Sequence, residues 1–581
     1  MTRSSRSGVK LEEEALQILH GHFPCQSPNT PVIPPIKTTR IGPPWFLLSL
    51  IGLGVLALAP ELVLFVKNHE DLKYFAPICY YEGIVSFLLL VPAMWLGRVL
   101  SRLWILVVGS AMGFATLIVG FQAECIGARW DLTAHNALMQ TYSAEAWGYL
   151  RSFASFGSLG FVAVVAAGFV ICILVNVRSQ LPSRRVALGV LLLGLALAAH
   201  GVRNFIRYER VPLKTIQLTD GTELRIAGIG INSFHPVTLF ALTQYNYLTT
   251  HAYYLKVYQL RGQQRAQLAG AVPIPGETVP RLVVVVLGES ANRLHWSLYG
   301  YPRQTTPCLE KLKDELLVFS DVISTCVGTE GSFNAMLTTT GSAIPIFPLF
   351  SQAGYKTHWL SAQYSQGEND VEVAALVQSC DERVFLNGAF DEVLLPFVSR
   401  AAAEPGKQLI FVNLFGSHVR YRDRYPARFA LFHGETKRDK LRSDYDNSIL
   451  YTDHVLSEMI KALKSRHEPT CLLYVSDHGE DVYDSRPDEY LFRSDAVATD
   501  PMYQVPFFVW LSPEYIQGNG EFSRIVAASR TKKYQTYAVY HALLDMARLR
   551  HPLYDSRASL FSRDHIERER RVGVSGRLYD R

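Results

Sequence analysis

Three apolar runs in the second half of the chain stop at titratable side chains. "RLVVVVLG" (281–288) is followed by Glu289, "QLIFVNLFG" (408–416) leads into Ser417 and His418, and "TCLLYVS" (470–476) breaks into Asp477, His478, Gly479 and Glu480. Taken singly, a carboxylate at a strand end caps a helix, and a histidine there is a satisfied surface group. Three such ends together point elsewhere, because in open parallel sheets the polar groups at the carboxyl ends of the strands meet on one rim. Carboxylates with imidazole make an oxygen and nitrogen ligand set that suits zinc, with manganese as a substitute.

A metal at that rim needs a reacting partner, and "STCVGTEGSFNAMLTTTG" (324–341) offers one. Residues Glu330 to Leu337 are predicted to be helical, which puts Thr329 at or near the N-cap. Threonine is common there for capping alone. Its hydroxyl is a poor nucleophile at neutral pH, but a cation beside a helix N-terminus stabilises the alkoxide; for scale, zinc lowers the pKa of bound water from ~15.7 to ~7. The same ion polarises a phosphoryl oxygen, and the positive helix end favours an anionic ester.

Positioning these groups requires a sheet covered on both faces. The three runs, with a fourth, "VPFFVWLS" (505–512), are continuously apolar rather than alternating, which fits a mainly parallel sheet between helices and an α/β domain. Between the second and third runs, Ile449, Tyr451 or Thr452, Leu456, Ile460 and Leu463 fall near one helical face, as a crossover helix requires. The linker "GAVPIPGETVP" sets the start of this domain near residue 275, so the domain is expected over 276–581.

The first half reads as membrane. About forty polar and Pro-rich residues precede five apolar stretches, Trp45 to Val66, Ile78 to Leu96, Leu103 to Phe121, Phe153 to Val177 and Val186 to Val202, each near the roughly 20 residues that cross a bilayer. Arg98 and Arg102 join the second and third, and Arg178, Arg184 and Arg185 join the fourth and fifth, so these short connections and the N-terminus are expected to be cytoplasmic. The expected organisation is a cytoplasmic tail (1–42), five transmembrane helices (43–205), a membrane-proximal bridge (206–275) and an exported domain. Residues 235–261, rich in tyrosine, fit either a helix lying on the membrane or an ordinary core helix. A net charge of +5 without a basic cluster interleaved with aromatics excludes nucleic acid as a partner. Of eight cysteines, Cys308, Cys326, Cys380 and Cys471 fall in the exported part; three pairings are open, and Cys308 with Cys326 is favoured by proximity.

The segments "VVVVLGESANRLHWSLYGYPRQTTP" (283–307), the one around Thr329, "GYKTHWLSAQ" (354–363), "FGSHVRYRDRYP" (415–426), "YDNSILYTD" (445–453) and "YVSDHGEDVYD" (474–484) resemble the bacterial phosphoethanolamine transferases of the alkaline phosphatase and sulfatase superfamily. The resemblance implies a sulfatase-like fold and a multi-pass inner-membrane zinc enzyme whose catalytic domain is periplasmic. It implies transfer of phosphoethanolamine from phosphatidylethanolamine, through a phospho-threonine, to a lipopolysaccharide acceptor at the core or lipid A. Carried over by motif, Glu289, Thr329, Asp477 and His478 bind zinc, Thr329 is the nucleophile, and His418 assists proton transfer or substrate orientation. Asn136 and Glu145, in the second external loop, are candidates for holding the ethanolamine end. One departure stands out: no histidine occurs between 479 and 540, where lipid A-modifying members carry one, so a second metal stays open and the pattern leans towards core-modifying members.

Two neighbouring chemistries share these ligands. A sulfatase or phosphatase would end in hydrolysis, although Cys326 is followed by Val327 and Gly328 rather than by the C-x-P-x-R pattern of sulfatases. A phosphoglycerol transferase would differ only in its head group.

Overall fold

The computed structural model describes residues 41–67, 72–126, 155–208 and 271–580 apart from 340–343, 364–372, 374–375, 387–388, 487–497 and 574–575, with isolated residues and short pieces between 130 and 248. The apolar stretches of the first half are helical: α1 (Pro43–Ala57), α2 (Ala59–Lys67), α3 (Leu72–Leu90), α4 (Arg98–Ile126), α5 (Phe156–Arg178) and α6 (Arg184–Tyr208). Pro60 sits at the start of α2, and the α1–α2 pair bends by 42° there, since proline removes a backbone donor and crowds the preceding turn.

Among the described residues, two helices are long and apolar enough to cross a membrane, Arg98–Cys125 and Phe156–Arg178, and three if the bent pair counts as one span. The five full crossings read from the sequence are therefore not reproduced as five qualifying helices. Val99, Leu103, Val107 and Phe114 on α4 and Leu159, Val164 and Val170 on α5 are exposed. Outward apolar side chains of this kind are what a lipid-facing surface carries. Inward, Gly113 of α4 meets the Phe169 ring of α5, where an added Cβ would lie 3.2 Å from it, so a small residue lets the two helices close.

The second half is built on a seven-stranded sheet. Its strands are β1 (Leu282–Gly288), β2 (Leu316–Val318), β3 (Tyr355–Ser361), β4 (Glu382–Phe385), β5 (Lys407–Asn413), β6 (Thr470–Ser476) and β7 (Phe507–Leu511), in the spatial order β2-β7-β6-β1-β5-β3-β4. The stretch from β6 to β4 is parallel, whereas β7 pairs antiparallel with both β6 and β2. The sheet is thus mixed, with four of its six strand pairings parallel and the two made by β7 antiparallel. The fourth apolar run is a strand, but it runs the other way. The physical reason is that a strand buried on both faces shows the same apolar run in either direction.

Strand side chains alternate between two cores. Val283, Val285 and Leu287 of β1 with Leu473 and Val475 of β6 face one core, which is closed by α7 (Thr329–Leu337) and by α10 (Val539–Met546). Val284, Val286, Leu472 and Tyr474 face the other, closed by α8 (Leu395–Ala403) and α9 (Lys437–Lys464). The crossover helix predicted between the second and third runs is α9, with Ile449, Tyr451, Leu456, Ile460 and Leu463 all buried. At roughly 1.5–3 kcal/mol for each fully buried large aliphatic side chain, these two faces fix the strands firmly enough to aim the polar residues at their carboxyl ends.

Candidate active site at the carboxyl ends of the strands

β1 and β6 are adjacent and in register, with Ser476 opposite Gly288, so the next residues on each strand emerge side by side. Those residues are Glu289 on one strand and Asp477 and His478 on the other. The Asp477 amide donates to the Gly288 carbonyl (3.0 Å), and the Ser290 amide donates to Asp477 Oδ1 (3.0 Å). Ser290 takes a left-handed φ of 55°, which turns the chain sharply after Glu289. Its hydroxyl donates to Glu289 Oε1 at 2.6 Å.

The three side chains are 1% exposed or less, and their ligand atoms lie within 4.8 Å of one another. His478 Nδ1 faces the Gly479 carbonyl at 2.9 Å, which can only accept, so Nδ1 carries the proton and Nε2 presents its lone pair. That nitrogen lies 3.1 Å from Asp477 Oδ2 and 3.5 Å from Glu289 Oε1. Two carboxylates and a lone pair converging in a buried space are mutually repulsive unless a cation lies among them. The donor set, with its second ring nitrogen held by a carbonyl, fits a divalent metal of borderline softness.

Thr329 is the first residue of α7, with Gly328 as its N-cap, so it stands next to the capping position, as read from the sequence. Phe333, Met336 and Leu337 anchor the helix in the first core and point its N-terminus at the cluster. The Thr329 hydroxyl donates to Glu289 Oε2 (3.2 Å) and lies 3.5 Å from His478 Nε2. A further group was not read from the sequence: Gln363, just past β3, donates from Nε2 to Glu289 Oε2 (3.2 Å) and to the Leu414 carbonyl (2.9 Å). Its segment was visible in "GYKTHWLSAQ", but nothing local marks a glutamine as a carboxylate holder.

His418 lies on the loop that leaves β5. Two contacts seat this loop on Glu289: the Ser417 amide donates to the Glu289 carbonyl (2.9 Å), and Gly416 lies so close that an added Cβ would be 2.9 Å from the same oxygen. Buried Asp391 holds the loop from the far side, accepting from the amides of Phe415 (2.7 Å) and Gly416 (3.0 Å). Burial pushes the Asp391 carboxyl up to about 6 against the pull of those two donors. Gly416 also has φ 49°, so Gly416→Ala is doubly strained. We expect that substitution to displace Glu289 and to weaken metal binding about tenfold or more, as loss of an orienting partner does. Equilibrium binding of zinc to the chelated protein measures it, and an unchanged affinity would show that the loop yields instead.

A buried network ties the Asp477 loop to α9. His295, 1% exposed, places Nδ1 2.7 Å from Asp446 Oδ1 and Nε2 3.1 Å from Asp484 Oδ1. Arg303 and Tyr301 donate to the other Asp446 oxygen, Tyr445 packs edge-on against the imidazole, and Asn292 Nδ2 donates to the Glu480 carbonyl. Burial lowers the His295 pKa, but the hydrogen bonds to Asp446 and Asp484 outweigh it and hold the group up to about 9. The stabilisation is therefore complete below the ordinary value of 6.5 and is lost as pH rises through about 9. Thermal unfolding should show that loss in the parent and not in His295→Gln, which starts less stable at neutral pH. A parent whose stability is flat across that window would remove the imidazolium.

Among the described residues no cysteine is in a disulfide, so the favoured Cys308–Cys326 pair is not formed in this structure. Cys308 donates its amide to Asp453 of α9, whereas Cys326 packs against Gly331 of α7, and these helices lie on opposite faces of the sheet. A second His and carboxylate group, His358, Glu382 and Glu404, is bridged by Lys356, whose Nζ is 3.0 Å and 2.6 Å from the two glutamates. Asn136 and Glu145 lie outside the described residues, as does most of 235–261.

Residues 281–548 match the family model described as Sulfatase, and the chain carries a sulfatase-family domain. Several of the curated relatives it matches are named phosphoethanolamine transferases. It is 32% identical over 322 residues to phosphoethanolamine transferase EptC of Escherichia coli K12, a match covering 51% of this chain and 55% of that protein. It is also 32% identical over 323 residues to phosphoethanolamine transferase CptA of Salmonella typhimurium LT2, with the same coverage. The chain thus spans about half the length of the curated relatives it matches. The integral membrane lipooligosaccharide phosphoethanolamine transferase A of Neisseria meningitidis shares the fold over 90% of this chain and 98% of that one, with a TM-score of 0.64 at 18% identity.

Proposed function

We propose that this chain is a multi-pass inner-membrane transferase that moves phosphoethanolamine from phosphatidylethanolamine to a lipopolysaccharide acceptor, at the core or lipid A, through a phospho-threonine. The observation that carries this reading is a threonine hydroxyl at a helix N-terminus, 3.2 Å and 3.5 Å from two members of a buried metal-type cluster, in a domain related to named phosphoethanolamine transferases.

Glu289, Asp477 and His478, joined by Thr329, would hold zinc, with manganese as a substitute; bound there, the ion supplies Lewis-acid polarisation of the phosphoryl group and favours the threonine alkoxide. Thr329 Oγ1 attacks phosphorus, the new Oγ–P bond forms, and the bond to the diacylglycerol oxygen breaks, with that oxygen taking a proton. The acceptor oxygen then attacks the same phosphorus, surrenders its proton, and Thr329 regains its own. His418, on the loop seated against Glu289, is assigned to proton transfer in one of these halves. The first turn of α7 stabilises the anionic phosphoryl oxygens. Two half-reactions on one threonine give ping-pong kinetics.

A lipid donor explains why such a domain is carried on membrane helices: tethering removes the encounter of a soluble enzyme with the bilayer. The expected topology has five crossings (43–205), a cytoplasmic tail (1–42), a bridge (206–275) and a periplasmic catalytic domain (276–581). Asn136 and Glu145 are assigned to the ethanolamine end of the donor.

The test uses the full-length protein in liposomes with phosphatidylethanolamine labelled in its head group and, separately, labelled phosphatidylglycerol. Label should appear on lipopolysaccharide and, with acceptor omitted, on the peptide containing Thr329. Label delivered only from phosphatidylglycerol would favour the phosphoglycerol reading, and free labelled phosphoethanolamine as the sole product would make the protein a hydrolase.

A further inference from the structure

The turn that carries the chain away from Glu289 is held by a residue 155 positions further on. Tyr445 of α9 places its hydroxyl between two backbone groups of that turn, donating to the Ser290 carbonyl (2.7 Å) and accepting from the Asn292 amide (2.7 Å). The oxygen is thereby used in both directions. Its ring is fully buried, with the imidazole of His295 edge-on at 5.0 Å and the ring of Tyr421 at 4.9 Å, and this packing fixes where the hydroxyl points.

The shape of the turn matters because Ser290 bonds to both carboxylates of the cluster. Its amide donates to Asp477 Oδ1 and its hydroxyl to Glu289 Oε1. Both bonds depend on a left-handed backbone, φ 55°, at a residue with a Cβ, and such a conformation persists only where the surroundings impose it. Two contacts impose it here: the Ala291 amide donates to Ser476 Oγ at 2.9 Å, and the Tyr445 hydroxyl spans the residues on either side of Ala291. Ser290 and Asn292 are both fully buried. Without the hydroxyl, the carbonyl of one and the amide of the other lose a partner away from water, and the turn relaxes to recover one. That relaxation swings Ser290 off the two carboxylates.

We propose that Tyr445 is a positioning residue for the cluster: its hydroxyl closes the Ser290–Asn292 turn and so fixes Glu289 and Asp477 in ligand geometry before a metal arrives. The inference rests on the cation-binding reading of that cluster and adds that α9 builds the site in advance. Tyr445 acts through Ser290 rather than on the reacting atoms.

Tyr445→Phe in the full-length protein removes one oxygen and leaves the ring. Equilibrium binding of zinc to the chelated variant should weaken about tenfold, the scale on which an orienting partner acts. Val455→Ala is the control, since Val455 lies further along α9, roughly 15 Å away by helix rise, and is fully buried in the second core. It should lower the melting temperature and keep the parent's zinc affinity. Hydrogen exchange gives a readout that needs no variant: in the parent, the peptide spanning Glu289 to Arg293 should exchange as slowly with the metal chelated as with zinc bound. The same peptide should exchange faster in Tyr445→Phe. Parent-like zinc affinity in Tyr445→Phe, an equal loss in Val455→Ala, or a turn protected only when zinc is bound would each overturn the proposal. A parent that binds no zinc would instead remove the cation-binding reading of the cluster, and the role of Tyr445 with it.

Discussion

Thr329→Ala is expected to lose transfer by about 10⁴-fold or more, the scale on which removing a nucleophile acts, while the protein stays folded. The structure supports both halves of that expectation. The hydroxyl is half-buried and makes one donated bond, to Glu289, so its loss leaves no core cavity. Glu289, Asp477 and His478 remain, so most of the metal should remain with them. Thr329→Ser keeps a hydroxyl on the same Cβ and should retain measurable turnover, which separates loss of the reacting oxygen from disturbance of α7. Transfer from labelled donor, metal content and melting temperature are read on all three proteins. Normal turnover in the alanine variant would place the nucleophile elsewhere.

Chelation is the second large effect, and it should act on stability as well as on turnover. Removing the ion leaves the Glu289 and Asp477 carboxylates and the His478 lone pair converging within 4.8 Å in a buried space. At a metal concentration 1,000 times the dissociation constant, binding contributes about 4 kcal/mol to the folded state, and chelation forfeits it. Asp477→Asn removes one of the two charges. It should bind metal far more weakly, since its carboxylate is a ligand atom. In the chelated state, however, it should melt higher than the chelated parent, because like-charge repulsion is relieved. That inversion of order is the diagnostic result. If chelated parent and variant melt together and zinc moves neither, the cluster does not hold a cation.

His295 shows how the sequence can display a residue without its role. It stands inside a quoted motif, yet its partners Asp446 and Asp484 lie 151 and 189 positions away. Only folding brings α9 and the Asp477 loop to either side of it. Gln363 and Asp391 are similar: each acts on a neighbour from another strand end, and neither has a spacing that periodicity detects. His418 was legible as a strand-end histidine, and the structure adds that Gly416 and Asp391 seat its loop on Glu289.

What the sequence determined by itself was local and repetitive. Apolar runs of seven or so residues specify strands buried on both faces, longer ones specify apolar helices, and the polar residues directly after β1 and β6, and on the loop leaving β5, must emerge at strand ends. Strand order, the reversed direction of β7, the separation of Cys308 from Cys326 and the pairing of Glu289 with Gln363 were decided only by tertiary structure. The reason is that each depends on which distant segment packs alongside, and burial imposes the same apolar pattern on a strand whatever its neighbour or direction.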